Sequence, residues 1–527
     1  MKFGDSYDSD ISDEKFDVIM IGSGMSGLAT AALLSKAGKR VLVLERHFKV
    51  GGWTHTFKRG NYEWDVGIHY IGGVGKRDGI LRILFDDITE SSLQWSRMPE
   101  TYDRMIFPDA SYDFVSGREN FINRLTEYFP KERSAIEQYL ELVRDCNRAS
   151  RRFFSNRALP KSLGRIAYRP MSRHYLKYAD RTTWDVLSSL TSDRKLIGVL
   201  AGQYGDYGLT PRQSSFAIHA AVVNHYLYGA YYPVGGSSSI AGTIAPVIER
   251  AGGKILVNAQ VEKILTHRDR AVGVKLTNGD ELKAPTVISS AGVLNTFGDL
   301  LENRTLPGIE MEKVERSSSH VCLYIGINGT AEKLGLGGTN LWIYPDYDHD
   351  ANVDKYLADS RSHLPVVYVS FPSAKDPSWE GNHGDTATME AISIAPYDMF
   401  TRWENTGWKK RGEDYEDFKQ ELTSRIMRFV YAHVPQVEGH VDHLELSTPL
   451  TTRDFLGYSR GEIYGIDHTP SRFRQKWLRP HTPVKDLYLT GQDIVTDGIA
   501  GALMSGVLTT SAVLRRNVVK DILKRRD

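Results

Sequence analysis

Apolar and polar positions alternate along this chain with two different periods. Residues 16–21 (FDVIMI) form a short, β-branched apolar run, the pattern of a strand buried on both faces. Residues 28–36 are Ala/Leu-rich and predict a helix, and residues 40–44 predict a second strand that ends at Glu45. Helical spacing returns at 80–85, 121–129 and 132–149, where Ile136, Tyr139, Leu140 and Val143 share one face. Residues 240–251 predict a helix with Ile244, Val247 and Ile248 on its apolar side and a kink at Pro246. Strands follow at 254–257 and 261–265. Residues 271–275 and 281–283 flank Asn278-Gly279, a hairpin-turn dipeptide, and 284–292 reads as another strand. Between 301 and 479, strand-like runs at 321–327, 366–371 and 388–394 alternate with helices such as 415–433, which predicts an antiparallel sheet with helices. The run 486–493 is a last strand, and 499–514 a last helix.

At 527 residues the chain is too long for one simple core, so two intertwined domains are expected. The balance of 66 Lys and Arg against 65 Asp and Glu argues against a nucleic-acid partner, which calls for a basic excess. Cys146 and Cys322 make neither a disulfide framework nor a zinc motif, and no metal site is expected. Residues 1–14 are acidic and polar and read as a flexible leader. No run of eighteen apolar residues is found, so the reading is a cytoplasmic protein with peripheral membrane attachment.

The chemistry begins between the first strand and helix. In Gly22-Ser23-Gly24-Met25-Ser26-Gly27, Gly22 serves a tight turn, Gly24 a close backbone approach and Gly27 close helix–strand packing. The helix start then offers N–H groups to a pyrophosphate, and Glu45 suits an adenosine ribose hydroxyl. After Arg46 the chain reaches Gly51-Gly52-Trp53-Thr54, a second close approach to the same ligand. NAD sites have no need of it, whereas the longer FAD does. Residues 62–73, with Gly67, Ile68, His69 and Tyr70, suit a loop laid beside a flat ring. A packed histidine with satisfied nitrogens explains His69 as well as a redox role does. Val261 is placed to meet the adenine side. Near the end, Gly491 and Asp493 lead into a helix whose first N–H groups, Gly498 to Ala502 with Gly501 between, face the flavin edge where negative charge builds on reduction. Asp493 suits a ribityl hydroxyl.

Two further stretches carry alternatives. Residues 148–181 hold ten Lys and Arg against Asp180 alone, interleaved with Phe153, Phe154, Tyr168, Tyr175 and Tyr178. They read either as a solvated helical cap or as a surface that docks on anionic lipid headgroups. The tail repeats this basic amphipathic theme more weakly. Asp346, Asp348, Asp350, Asn352 and Asp354 alternate like calcium ligands, but Ala351 and Leu357 break the EF-hand pattern, which leaves a solvated acidic loop.

Taken together, GSGMSGL (22–28), LERHFKVGGWTHTF (44–57), DVGIHYIGG (65–73), YYPVGGSSSIA (231–241), YGIDHTPSRF (464–473) and LYLTGQDIVTDGIAGALMSG (487–506) resemble the phytoene desaturase-like FAD oxidoreductase superfamily. Within it the likeness is to the retinol saturase and carotenoid isomerase branch, over about residues 16 to 515. The resemblance implies an α/β fold, a glutathione-reductase-like Rossmann-type FAD domain interleaved with an α+β substrate domain and a helical lid. The segments would be 15–75, 230–300 and 480–515 for FAD, 76–229 for the lid and membrane-facing part, 301–479 for substrate and 516–527 as a basic tail. It further implies FAD binding by Gly22, Gly24, Gly27, Glu45, Arg46, Gly51, Gly52, Val261 and Asp493, with Ile68, His69 and Tyr70 near the isoalloxazine. Eukaryotic saturases carry an N-terminal targeting segment that is not read here, so their location is not carried over.

The expected reaction is hydride transfer from reduced FAD to a carbon of a long polyene, with a proton added at its neighbour. No second strand-embedded glycine fingerprint is present, so an external electron donor is expected. Tyr70, His69 and His468 are the candidate proton donors. Desaturation, isomerisation without net electron flow, and non-catalytic flavin or lipid binding remain as alternatives.

Overall fold

The computed structural model describes residues 3–302 and 306–525; residues 1–2 of the leader and 526–527 of the tail lie outside it. Its first layer is a six-stranded sheet in the order Asp5–Ser6, Lys254–Val257, Val41–Leu44, Val18–Ile21, Val287–Ser289, Leu487–Leu489. Every neighbouring pair is parallel. The strands Val18–Ile21 and Val41–Leu44 are buried at every position, because a parallel sheet is covered on both faces. The Met25–Lys36 helix covers one face, packed against Ser238–Arg250 and Gly498–Leu514. Small residues allow that approach: a Cβ on Gly506 would stand 3.0 Å from Cβ of Ala29.

Two expectations are corrected here. The first helix starts at Met25 rather than Leu28, with Gly24 as its N-cap, so the last fingerprint glycine lies inside the first turn. The leader is not free: Asp5 and Ser6 pair with Leu256 and Val257, and the Tyr7 hydroxyl donates to Asp280 at 2.8 Å. An edge strand offers unpaired backbone groups, and this segment takes them.

The second layer is a seven-stranded mixed sheet, Val441–Ser447, His320–Asn328, Thr386–Ile394, Val367–Ser370, Asn340–Ile343, Thr101–Ile106, Ser111–Val115. Its last two strands come from the stretch expected to form only a helical lid. They join through a parallel pairing of Thr101–Ile106 with Asn340–Ile343, and the two strands bury Tyr102, Met105, Tyr112 and Phe114. The remaining helices, chiefly Arg133–Ala158, Lys161–Ala179 and Phe216–Tyr226, stack beside this sheet. Arg133–Ala158 outruns its expected end at 149 because Phe153, Asn156 and Arg157 continue its buried side. The acidic run is not a loop: Asp348 caps the His349–Ala358 helix through the N–H of Ala351.

Among the described residues no single helix is long and apolar enough to cross a membrane. The pair Gly498–Leu514 and Val518–Lys524 passes on composition but bends by 99°.

Candidate active site

One cavity of about 530 Å³ runs between the two sheets. Its polar end is built by the glycine turn. Gly22 sits at φ +91°, a backbone state that favours glycine, and a Cβ on Gly27 would fall 2.3 Å from the Gly22 carbonyl oxygen. A Cβ on Gly24 would meet no atom within 4 Å, so that position opens on the cavity. From the other side a Cβ on Gly52 would lie 3.0 Å from Gly24 Cα, which brings the two glycine pairs face to face. Neither Met25–Lys36 nor Gly498–Leu514 has a side-chain hydrogen bond at its N-cap. Their first N–H groups are left for an anionic or electron-rich ligand.

The structure gathers most of the expected site residues in this one wall. Gly22, Gly24, Met25, Ser26, Glu45, Arg46, Gly52, Trp53, Thr54, Gly67, Ile68, His69, Tyr70, Val261, Gly491, Gly501 and Ala502 all line it. Ser23, Gly27 and Gly51 stand behind it. Ser23 donates to Oε2 of Glu45 from both its N–H, at 2.9 Å, and its hydroxyl, at 2.6 Å, and accepts the Gly51 N–H at 3.0 Å. Its role is to hold the acid and the second glycine pair in place. Asp493, expected to meet a ribityl hydroxyl or a phosphate-proximal group, stands just outside the lining. Its two oxygens accept the N–H groups of Val293, at 2.8 Å, and Ile466, at 3.2 Å, so it ties three chain segments together.

The opposite end is apolar and aromatic, with Tyr226, Trp342, Val366, Tyr368, Ile392 and Ile394. Behind the junction lies a buried network that sequence reasoning missed. Nδ1 of His69 lies 2.6 Å from Oε2 of Glu390, a residue with no solvent exposure. Burial raises Glu390 and lowers His69, which favours a neutral pair in which the carboxyl would donate to Nδ1 and Nε2 would carry the ring proton. Oε1 of Glu390 accepts the Asp65 N–H at 2.9 Å, which fixes its orientation. Lys375, pushed down to about 8 by burial, donates to the His69 carbonyl at 3.0 Å and to Ser370 Oγ at 2.8 Å.

Tyr70 is differently placed. Its hydroxyl faces Oδ2 of Asp103 at 3.1 Å and of Asp206 at 3.0 Å, and its ring stacks on Tyr226 at 4.1 Å. Burial and the Asp103 charge hold Asp206 well above the usual carboxylate range. His468 leaves the list of proton donors: it is fully buried, outside the lining, and its Nε2 accepts the Asp497 N–H at 3.1 Å.

With this geometry in view, a family model described as flavin-containing amine oxidoreductase matches residues 25–325. The chain is 38% identical over 532 residues to all-trans-retinol 13,14-reductase of Macaca fascicularis, covering 97% of this chain and 87% of that protein. It is 27% identical to the chloroplastic prolycopene isomerase 2 of an Oncidium hybrid cultivar, over 95% of this chain and 84% of that one. Among solved structures, putrescine oxidase bound to putrescine has the same fold, with TM-score 0.63 at 15% identity, 95% of this chain and 100% of that chain covered.

Proposed function

The chain belongs to the flavin-containing amine oxidoreductase family and is an FAD-dependent oxidoreductase, and from that premise we propose that it saturates one carbon–carbon double bond of a long polyene such as a retinoid. The observation that carries this reading is one continuous cavity, polar and glycine-lined at one end and aromatic at the other, with a buried acid at the junction. The cradle fits FAD: two uncapped helix starts, the open Gly24 position and Glu45 held by Ser23 supply what a dinucleotide requires.

When bound and reduced by the donor, FAD would supply the electron pair as hydride and be left oxidised. The protein's task is to place the polyene against it in a dry site and to give one proton. Trp342, Tyr368 and Tyr226 wall the apolar end, which excludes water and orients a flat conjugated chain. In our reading Nε2 of His69 gives its proton to the carbon next to the one that gains hydride. Glu390 passes its own proton to Nδ1, so the imidazole stays neutral and the carboxylate that remains is near the Lys375 charge. Hydride plus proton turn one double bond into two C–H bonds; Glu390 then regains its proton from solvent, and the external donor restores the electron pair.

The direct test is product mass after anaerobic incubation of the reduced enzyme with all-trans-retinol, a linear carotene and a polyunsaturated fatty acid. A gain of two mass units in one of them is the expected result. Unchanged mass with altered retention would point to isomerisation, the reading that similarity to prolycopene isomerase favours. We further propose that electrons arrive from an external donor. The protein would meet a membrane through the basic 148–181 stretch, where Leu163 and Ile166 are 56% and 78% exposed.

A further inference from the structure

A second cavity, of about 320 Å³, lies where the end of Arg133–Ala158 and the start of Lys161–Ala179 meet the 473–483 loop. Its lining carries Arg157, Lys161, Arg165, Lys476, Arg479 and His481 and, among the described residues, no aspartate or glutamate. Arg157 is buried and Arg479 half-buried, and cations gathered around one cavity repel unless an anion joins them. The charges that act on Lys161 and His481 are all positive, from Arg479, Lys161 and Arg515, and with burial they hold both groups below their ordinary values. Arg157 is only 6% exposed and is pushed down to about 9, first by burial and then by Arg472.

Hydrogen bonding is incomplete in the same place. Arg157 donates to the Ile494 carbonyl at 2.7 Å, Lys161 to the Thr482 carbonyl at 2.7 Å, and Arg479 to the Leu159 carbonyl. Nε of Arg479, Nε1 of Trp477 and Nδ1 of His481 have no partner, and Trp477 is 8% exposed. A buried N–H donor without an acceptor costs stability, so the orphaned Arg479 and Trp477 donors beside one cavity point to a missing acceptor. The Lys161–Ala179 helix begins here without a side-chain cap. Gly164 in its first turn admits the Arg479 guanidinium, to which a Cβ there would come within 3.0 Å.

We propose that this cavity binds the phosphate group of an anionic ligand. Cationic forks, orphaned N–H donors and a helix start suit a multiply charged oxyanion rather than a neutral or single-acceptor group. Exposed Leu163 and Ile166 flank it on the same helix, so both a phospholipid headgroup at a bilayer surface and a free phosphate compound present the required chemistry. In the first case the site deepens the membrane reading above, on which that arm rests.

The test uses the full-length holoprotein with two probes: inorganic phosphate by calorimetric titration, and phosphatidylcholine vesicles with and without phosphatidic acid by flotation. Lys161 and Lys476 are both exposed, so the double variant Lys161→Gln/Lys476→Gln keeps the fold, checked by its melt and flavin absorbance. It is expected to weaken binding about tenfold or more for whichever probe the wild type binds. Replacing Arg169 and Arg173, exposed on the same helix but outside the lining, is expected to change phosphate binding little. Vesicle capture that free phosphate competes away, and that Ile166→Ser weakens, assigns the lipid source; phosphate binding without vesicle capture assigns a soluble one. The proposal is overturned if neither probe binds at low salt, or if the Arg169/Arg173 variant loses as much as the cavity variant. Turnover of detergent-dispersed polyene by the Lys161/Lys476 variant should match wild type. Failure of the reductase reading therefore leaves this titration intact.

Discussion

His69 and Tyr70 are adjacent in sequence yet have different partners, and that difference decides what each substitution should do. His69 holds a buried carboxyl on one nitrogen and lines the cavity, so His69→Gln removes the group that gives the proton. A loss of turnover of about a hundredfold or more is expected, the usual range for a general acid, with FAD absorbance retained. Tyr70→Phe deletes a hydroxyl held between Asp103 and Asp206 and keeps the stack on Tyr226, so turnover should stay within about tenfold. The reverse ranking would move the proton donor to Tyr70. Glu390 adds a pH signature. Its folded value is raised to about 8, so between the ordinary carboxylate range and about 8 the folded state binds the extra proton. Its contribution is therefore full at low pH and is lost as pH rises through about 8. Thermal melts should show wild type losing more Tm than Glu390→Gln between mildly acidic pH and 8; parallel curves would mean that Glu390 is ionised throughout. His69 and Tyr70 were legible as candidates in the sequence, but their carboxylate partners were not. Glu390 sits within an ordinary strand run and meets His69 across 321 positions, and no local period or motif marks such a partner.

The glycine turn and the elements it joins were legible because their chemistry is local. A strand, six residues with glycine at fixed offsets, a helix and a second strand all lie between Val18 and Leu44, and the structure builds them in that order. Its glycines separate two failures. At Gly27 a Cβ would meet the Gly22 carbonyl oxygen at 2.3 Å, so Gly27→Ala must push the helix off the strand. Lower Tm and lost FAD are expected together. At Gly24 the backbone is extended, φ −62° and ψ 170°, and a Cβ would touch no protein atom. Gly24→Ala should therefore melt like wild type when stripped of FAD, yet bind FAD more weakly, because its methyl occupies ligand space. A stripped Gly24→Ala protein with a clearly lowered Tm would show that the position is structural. Asp493 shows the limit of the same local reading. A strand, a glycine and an acid entering a helix suggest a ligand contact, and the structure adds a role the sequence does not show: each carboxylate oxygen accepts a backbone N–H, from Val293 and Ile466, in segments whose proximity only the tertiary fold creates.

At the scale of the whole molecule the cavity is where two sheets and several passes of the chain meet. The parallel sheet draws strands from four regions of the sequence, and Thr101–Ile106 leaves the helical region to join the mixed sheet. That crossing was not legible, since a six-residue strand in a parallel, non-local pairing leaves only a weak alternation. Its consequence is mechanical. Gly24, Leu44 and Gly491 on one side of the cavity and Trp342, Tyr368 and Ile392 on the other are held by different sheets, yet they line one space. A cofactor and substrate bound there contact both. FAD should then stabilise the protein as one unit, by about 2.7 kcal/mol at a hundredfold excess over its Kd. Stripped protein titrated with FAD should show one melting transition that rises with concentration, with near-UV and far-UV circular dichroism moving together. If FAD raised only part of the transition and left a second, FAD-independent step, the mixed sheet would be an independent unit. The cavity would then be an interface between two bodies rather than the centre of one.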